Sequence, residues 1–137
     1  MKYLLDTNII SETIRAQPNI NVQTWIKKIP SASLCISVLT LGEIRRGIEK
    51  LNENNSRKNK LIFWLEEDLP KWFGENILPI TQEIAERWGY ITSTKTQSLM
   101  AIDSLLAATA LTHNLKMVTR NIKDFNVPGL ETLNPFE

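Results

Sequence analysis

The chain opens with the run Lys-Tyr-Leu-Leu-Asp-Thr-Asn at residues 2–8. Residues 2–5 form a short apolar run of the kind that makes a buried strand. The next three residues, Asp6, Thr7 and Asn8, are types that cap helices and form turns. This stretch therefore predicts a strand that passes at once into a helix, which is typical of α/β domains.

The same alternation continues along the rest of the chain. The predicted strands are residues 2–5, 34–38, 76–80 and 115–119, with 130–133 as a candidate fifth. The predicted helices cover residues 9–15, 22–29, 39–51, 61–65 with Pro70 as the limit, 81–91 and 102–111. Neighbouring parallel strands need crossover helices that lie on the sheet faces. The pattern predicts an α/β fold with a mostly parallel sheet of four or five strands between two helical layers.

Length and composition limit the class of protein. A chain of 137 residues is expected to form a single domain, and 42% hydrophobic with 23% charged residues is typical of ordinary globular proteins. The net charge of +1 gives no overall attraction to nucleic acid, so any such binding needs a local basic patch. The lone cysteine, Cys35, lies in an apolar run and is expected to be buried. The short apolar run before Asp6 argues against a secretory leader, and no stretch is long enough to span a bilayer, so we expect a cytoplasmic protein with no membrane contact.

Acidic side chains follow the predicted strands. Asp6 ends the first strand, Glu43 lies in the helix after the second, Asp103 opens the Ala-rich helix, and Asn121 with Asp124 follows the fourth strand. The carboxyl ends of parallel strands share one edge of a sheet, so these residues are expected to converge there. Clustered carboxylates repel one another, and a hard divalent cation such as Mg²⁺ or Mn²⁺ relieves that repulsion.

Two other interpretations stay open for the acids taken singly. An Asp at a helix start is often a simple cap, and a Glu in a first turn often only complements the helix dipole. Cleavage of RNA by acid–base catalysis without a metal needs a pair of groups that titrate near neutrality. The sequence argues against it, because His113 is the only histidine. An aspartyl-phosphate phosphatase would need a second Asp two residues after Asp6, where this chain has Asn8.

Four motifs in order resemble a known family. They are Leu-Leu-Asp-Thr-Asn at 4–8, Leu-Gly-Glu-Ile-Arg-Arg-Gly at 41–47, Ile-Asp-Ser-Leu-Leu-Ala-Ala-Thr-Ala at 102–110 and Val-Thr-Arg-Asn-Ile-Lys-Asp-Phe at 118–125. Together they resemble the motifs of VapC-type toxins with a PIN domain, especially the FitB-like branch. The resemblance covers nearly the whole chain and implies a three-layer α/β/α PIN fold over residues 1–137. It also implies Mg²⁺- or Mn²⁺-dependent cleavage of RNA by a homodimeric toxin that a cognate antitoxin inhibits.

The resemblance also implies roles for individual residues. Asp6, Glu43 and Asp103 match the first three acidic metal ligands of the family. The fourth acidic position falls on Asn121, which would orient a metal-bound water, and Asp124 one helical turn later is a candidate substitute. Because Asn121 weakens the acidic set, the alternative is a PIN-fold RNA- or protein-binding module without turnover.

Candidate substrate contacts surround these acids. Thr7, Asn8 and Asp124 lie close to them in sequence, and Arg120 directly follows the fourth strand. Arg45 and Arg46, on the helix that carries Glu43, could supply a local positive patch for RNA, although such residues also commonly cover solvated helix faces. The aromatic residues between positions 63 and 73 are expected in the core, with a groove for a partner helix as the alternative.

Overall fold

A computed structural model describes residues 1–93 and 100–137 and contains a five-stranded sheet. The strands are β1 Tyr3–Leu5, β2 Leu34–Ser37, β3 Ile77–Leu78, β4 Lys116–Val118 and β5 Thr132–Leu133. Their order is β3-β2-β1-β4-β5, and every pairing is parallel. The predicted parallel sheet is confirmed with all five strands present.

Helices connect the strands. They are α1 Thr7–Thr13, α2 Ile20–Lys28, α3 Val38–Glu49, α4 Lys58–Phe63, α5 Leu69–Phe73, α6 Gln82–Thr92 and α7 Ala101–Thr112. Short 3₁₀ turns lie at Ser31–Ser33, Gly74–Asn76 and Ile122–Phe125, and a π-helical segment lies at Trp64–Asp68. In the part of the chain that the structure describes, no helix has the length and apolar character to cross a membrane.

The sheet has a separate hydrophobic core on each face. Alternate side chains of a strand point to opposite faces, so Leu4 packs in the core beneath α7 while Leu5 packs in the core beneath α1 and α3. Cys35 is buried, as predicted, on the α7 face. The three-layer α/β/α architecture predicted from the sequence is therefore confirmed.

The prediction that Pro70 ends a helix is wrong. The chain stays helical from α4 through the π-helical segment into α5, and Pro70 lies in the first turn of α5. Proline is tolerated in a first turn because its missing N–H has no essential partner there. The change to π geometry, in which the Leu69 N–H reaches the Trp64 carbonyl, creates that new first turn inside a continuous helix.

The aromatic residues after α4 divide between core and surface. Trp64 and Phe73 are buried and Trp72 is half-buried against the same core, as expected. Phe63 is 59% exposed, so the expectation of a core position is wrong for this residue. It stands at the last position of α4, on the side away from the sheet core.

β1 lies at the centre of the sheet, with β2 on one side and β4 on the other. The chain builds β2 and β3 on one side of β1 and then crosses to build β4 and β5 on the other, and this change of direction leaves a crevice beyond the carboxyl end of β1. Asp6 follows β1 directly, Ser37 closes β2 and caps α3, and Thr119 follows β4. The fold thus brings three strand ends to one edge of the molecule.

Candidate active site

Asp6 is a buried carboxylate at the end of β1. Its Oδ1 accepts a hydrogen bond from the Thr7 backbone N–H at 2.8 Å and so caps α1. Its Oδ2 accepts from the Thr119 hydroxyl at 2.8 Å and from the Asn8 side-chain amide at 3.3 Å. Asp6 is therefore a helix cap, which was one of the two interpretations that the sequence left open. Its carboxylate is also held by the side chains of Asn8, after β1, and Thr119, after β4.

The pKa of Asp6 is raised above its ordinary value of 3.8. Burial is the main cause, and it outweighs the hydrogen bonds from Thr119 and Thr7, which lower the pKa. The charges of Glu43 and Asp124 raise it further. A buried carboxylate that feels two other acids is in an environment that favours a cation.

Glu43 extends from α3 toward the same crevice. It is half-buried, and its Oε1 accepts a hydrogen bond from the Thr7 hydroxyl at 2.6 Å. Thr7 therefore links two of the predicted acids, because its backbone N–H binds Asp6 while its hydroxyl binds Glu43. The substrate role predicted for Thr7 competes with this contact between protein groups.

Asp103 lies in the first turn of α7 and is half-buried. Its pKa is raised to about 6, first by burial and then by the charges of Asp6, Asp124 and Glu43. Residues far apart in sequence therefore share one electrostatic neighbourhood, which was the central expectation from the sequence. A shift of this size at a crevice is a common property of functional sites.

The segment after β4 carries the last acidic residue. The Asn121 backbone N–H donates to the Thr119 hydroxyl at 3.0 Å, and its side chain is exposed. The charge of Asp124 raises the pKa of both Asp6 and Asp103. The fourth negative charge at this site is thus supplied by Asp124, whereas Asn121 offers a neutral amide at its rim.

The donor set fits a hard divalent cation that keeps part of its water shell. Among residues 1–93 and 100–137, no three His, Cys, Asp or Glu side chains stand close enough to form a ready-made set of ion ligands. The charges of these carboxylates act on one another across the crevice. Mg²⁺ is commonly held through only one or two carboxylates, with water completing its octahedron, so the spacing is compatible with such an ion.

The three arginines predicted to contact RNA differ in whether their charges are already paired within the protein. Arg45 pairs with Glu49 at 3.4 Å and with Glu66, so its charge is already compensated within the protein. Arg46 is exposed on the same helix. Arg120 donates its backbone N–H to the Asn8 Oδ1 at 3.2 Å, which places its backbone beside the residue that holds Asp6.

Thr119 is the functional candidate that the sequence interpretation missed. It is fully buried, and its hydroxyl joins Asp6 to the segment that carries Asn121 and Asp124. A polar residue directly after an apolar strand was the available signal, since Thr119 follows β4 as Asp6 follows β1.

A cleft of about 290 Å³ begins at Thr7 and Glu43. It runs between α1, α3 and α4, and its walls are mostly apolar side chains with Arg57 at the margin. The acidic site therefore adjoins an apolar cleft at Thr7 and Glu43.

Comparison with known proteins identifies the family. Residues 3–128 match the PIN domain family, and the chain belongs to it. It is 35% identical over 136 residues to Toxin FitB of Neisseria gonorrhoeae, covering 97% of each chain. It is also 31% identical over 137 residues to Ribonuclease VapC1 of Rickettsia felis, covering 97% of this chain and 96% of that one.

Solved structures agree with this assignment. The fold is similar to a chain in the crystal structure of FitAcB from Neisseria gonorrhoeae, with a TM-score of 0.90, 34% identity and coverage of 98% and 99% of the two chains. A chain of a toxin–antitoxin complex from Klebsiella pneumoniae gives a TM-score of 0.71 at 28% identity, with 99% of each chain covered. The resemblance to VapC and FitB proteins that the motifs indicated is confirmed.

Proposed function

We propose that this chain is a metal-dependent endoribonuclease and the toxin component of a toxin–antitoxin pair. The observation that carries the proposal is that Thr7 joins Asp6 and Glu43 at the end of β1, donating its N–H to one and its hydroxyl to the other. The charges of both acids also raise the pKa of Asp103. Several relatives of similar length are named ribonucleases, which supports RNA as the substrate. The cytoplasmic location expected from the sequence remains a prediction.

Asp6, Glu43 and Asp103 are the residues that would hold Mg²⁺, directly or through bound water, with Mn²⁺ as a substitute. When bound, such an ion lowers the pKa of a water and neutralises charge on the departing oxygen of a phosphodiester. The protein's own part is to hold the ligands in place. Thr7 fixes Glu43, while Thr119 and Asn8 fix the outer oxygen of Asp6. At the rim, the exposed amide of Asn121 is available to orient a water molecule.

Chelation tests the proposal directly. Purified protein should cleave a single-stranded RNA of mixed sequence in Mg²⁺ or Mn²⁺, stop cleaving in EDTA and recover when the ion is restored in excess. RNA that is bound but never cleaved under any of these conditions would favour the alternative of a binding module without turnover. Cleavage that persists in EDTA would contradict the metal assignment.

We propose further that a segment of the cognate antitoxin occupies the cleft between α1, α3 and α4. One of the similar structures is described as a toxin–antitoxin complex from Klebsiella pneumoniae, which supports such a partner. The cleft is apolar along its walls and reaches Glu43 at one end, so an amphipathic segment in it would cover Glu43. Co-expression with the candidate antitoxin should suppress cleavage, and Gly47→Leu in the cleft wall should weaken the complex.

A homodimer is also proposed, on the resemblance alone. Light scattering coupled to gel filtration should give a mass of two chains for the isolated protein. A mass of one chain at all concentrations tested would contradict it.

A further inference from the structure

The backbone of Arg120 is fixed on both sides next to the acidic site. Its N–H donates to the Asn8 Oδ1 at 3.2 Å, and Asn8 itself donates to Asp6. Its carbonyl accepts from the side-chain amide of Asn134 at 3.3 Å. Arg120 is exposed on the loop that follows β4. Its backbone is nevertheless held in place by hydrogen bonds to two asparagines.

The guanidinium of Arg120 also has a defined support. Its Cζ lies 4.7 Å from the ring centroid of Phe136, within the range of a cation–π contact. The ring is held in turn, because the Phe136 N–H donates to the Asn134 Oδ1 at 2.9 Å and its carbonyl accepts from Asn21 at 3.0 Å. An aromatic face supports the plane of a guanidinium and leaves its N–H edges able to bind an anion.

The guanidinium of Arg120 carries a charge that is unpaired in the part of the chain that the structure describes. None of the ion pairs found in residues 1–93 and 100–137 includes Arg120, whereas Arg45 is paired with two glutamates. The phosphates of an RNA strand are repelled by the carboxylates of this site. A positively charged side chain nearby offsets that repulsion for the phosphate that it binds. The Arg120 backbone lies beside Asn8, next to the acidic site, so its supported guanidinium, unpaired among the described residues, suits a phosphate of the substrate.

We propose that Phe136 is a positioning residue that fixes Arg120 as a ligand for an RNA phosphate next to the one that is cut. The inference rests on the proposed function, since it assumes that the acidic crevice is where RNA is cleaved. Phe136 acts through Arg120 and does not touch the substrate. The segment that contains Asn134 and Phe136 thereby supports the substrate site without contacting the RNA.

Fluorescence anisotropy with a short fluorescein-labelled single-stranded RNA tests this in EDTA, where no cleavage occurs. Arg120→Ala should weaken binding about tenfold and should flatten the dependence of log K on log salt by about 0.7, the loss of one phosphate contact. Phe136→Leu keeps bulk but removes the aromatic face and should weaken binding about threefold. Phe136→Tyr should bind as the wild type does, and Phe63→Leu, at an exposed phenylalanine on α4, serves as the matched control.

The double variant Arg120→Ala/Phe136→Leu separates positioning from general stability. It should bind RNA no more weakly than Arg120→Ala alone, because Phe136 acts only through the guanidinium. In Mn²⁺ both single variants should raise KM and leave kcat within about twofold. Thermal unfolding of each variant confirms that it is folded.

Wild-type affinity in Phe136→Leu, or full addition of the two losses in the double variant, would overturn the inference. If either occurs while EDTA-sensitive cleavage persists, the proposed function stands and only the role of Phe136 fails. If cleavage is never seen but the affinity series behaves as expected, Arg120 is still a phosphate ligand supported by Phe136 and the nuclease assignment fails.

Discussion

The two ends of α1 each hold a buried acid, and the two acids have opposite surroundings. Glu12, in the last turn, is 5% exposed, and its two oxygens accept hydrogen bonds from the Asn19 backbone N–H at 2.7 Å and from Arg15 at 3.3 Å. Asp6, at the first turn, is 7% exposed and has the charges of Glu43 and Asp124 nearby. Burial alone therefore does not mark a functional carboxylate.

What differs is the sign of the neighbouring charge. Glu12 has a cation and a backbone donor, and it ties the end of α1 to the start of α2. Asp6 has hydrogen-bond donors, but the ionised groups that act on it are acids. A buried acid whose neighbours compensate it serves the fold, whereas one whose neighbours repel it is suited to a cation that arrives from solution.

The largest expected effect comes from removing the charge of Asp6. Asp6→Asn should lower the rate of RNA cleavage by about two to four orders of magnitude, because a catalytic metal is worth several kcal/mol at the transition state. The asparagine oxygen can still cap α1, so thermal unfolding should change little. Asp68→Asn, at an exposed acid of the π-helical segment, is the control and should cleave normally. A wild-type rate in Asp6→Asn with excess Mg²⁺ would contradict the assignment.

Glu12 should show the reverse behaviour. Glu12→Ala leaves the Asn19 N–H without its acceptor and should lower the free energy of unfolding by about 2 kcal/mol, measured by urea titration. Cleavage per folded molecule should be unchanged. Arg15→Ala should cost under about 0.5 kcal/mol, because the Arg15 side chain is mostly exposed. Loss of catalysis in folded Glu12→Ala protein would show that the two ends of α1 are not separable.

The fourth charge gives a smaller effect. Asp124→Asn should weaken Mn²⁺ binding about fivefold, measured by electron paramagnetic resonance, because Asp124 acts on Asp6 and Asp103 through charge alone. Asn121→Asp should strengthen binding by a similar or smaller factor. Unchanged Mn²⁺ affinity in Asp124→Asn would remove Asp124 from the site.

The pH dependence of stability gives the smallest effect. Asp103 has a pKa of about 6 in the folded protein against an ordinary 3.8, so between these values the folded state binds more protons than the unfolded state. Its contribution therefore makes the metal-free protein less stable as pH rises through that window. Asp103→Asn should reduce this slope and stabilise the metal-free protein by about 1 kcal/mol at neutral pH, after allowance for solvent screening. Equal slopes in urea titrations of both proteins would contradict the shift.

The sequence predicted the fold well because its signals are local. β1 and β2 each pass into a helix at a residue that caps it, Asp6 and Ser37, and apolar spacing predicted those helices. The error at Pro70 arose because proline stops an α-helix but is tolerated where the hydrogen-bond pattern shifts. A π-helical shift depends on packing against the core and has no clear sequence signal.

Pairing between distant side chains was harder to predict. The positions of Asp6, Glu43 and Asp103 followed from strand order, since parallel strands share their carboxyl edge. That Thr7 binds Glu43, or that Thr119 binds Asp6, depends on distances that strand order does not set. The sequence likewise does not predict that Arg45 pairs with Glu66 or that the Arg120 guanidinium lies over the Phe136 ring.

A crystal soaked in Mn²⁺ gives the most direct measurement, because the anomalous signal locates the ion. The account predicts a peak in the crevice at the carboxyl end of β1, bound directly or through water by Asp6, Asp103 and Glu43. A soaked crystal with no peak there, or with manganese only at acids elsewhere on the surface, would contradict the claim that this crevice is a cation site.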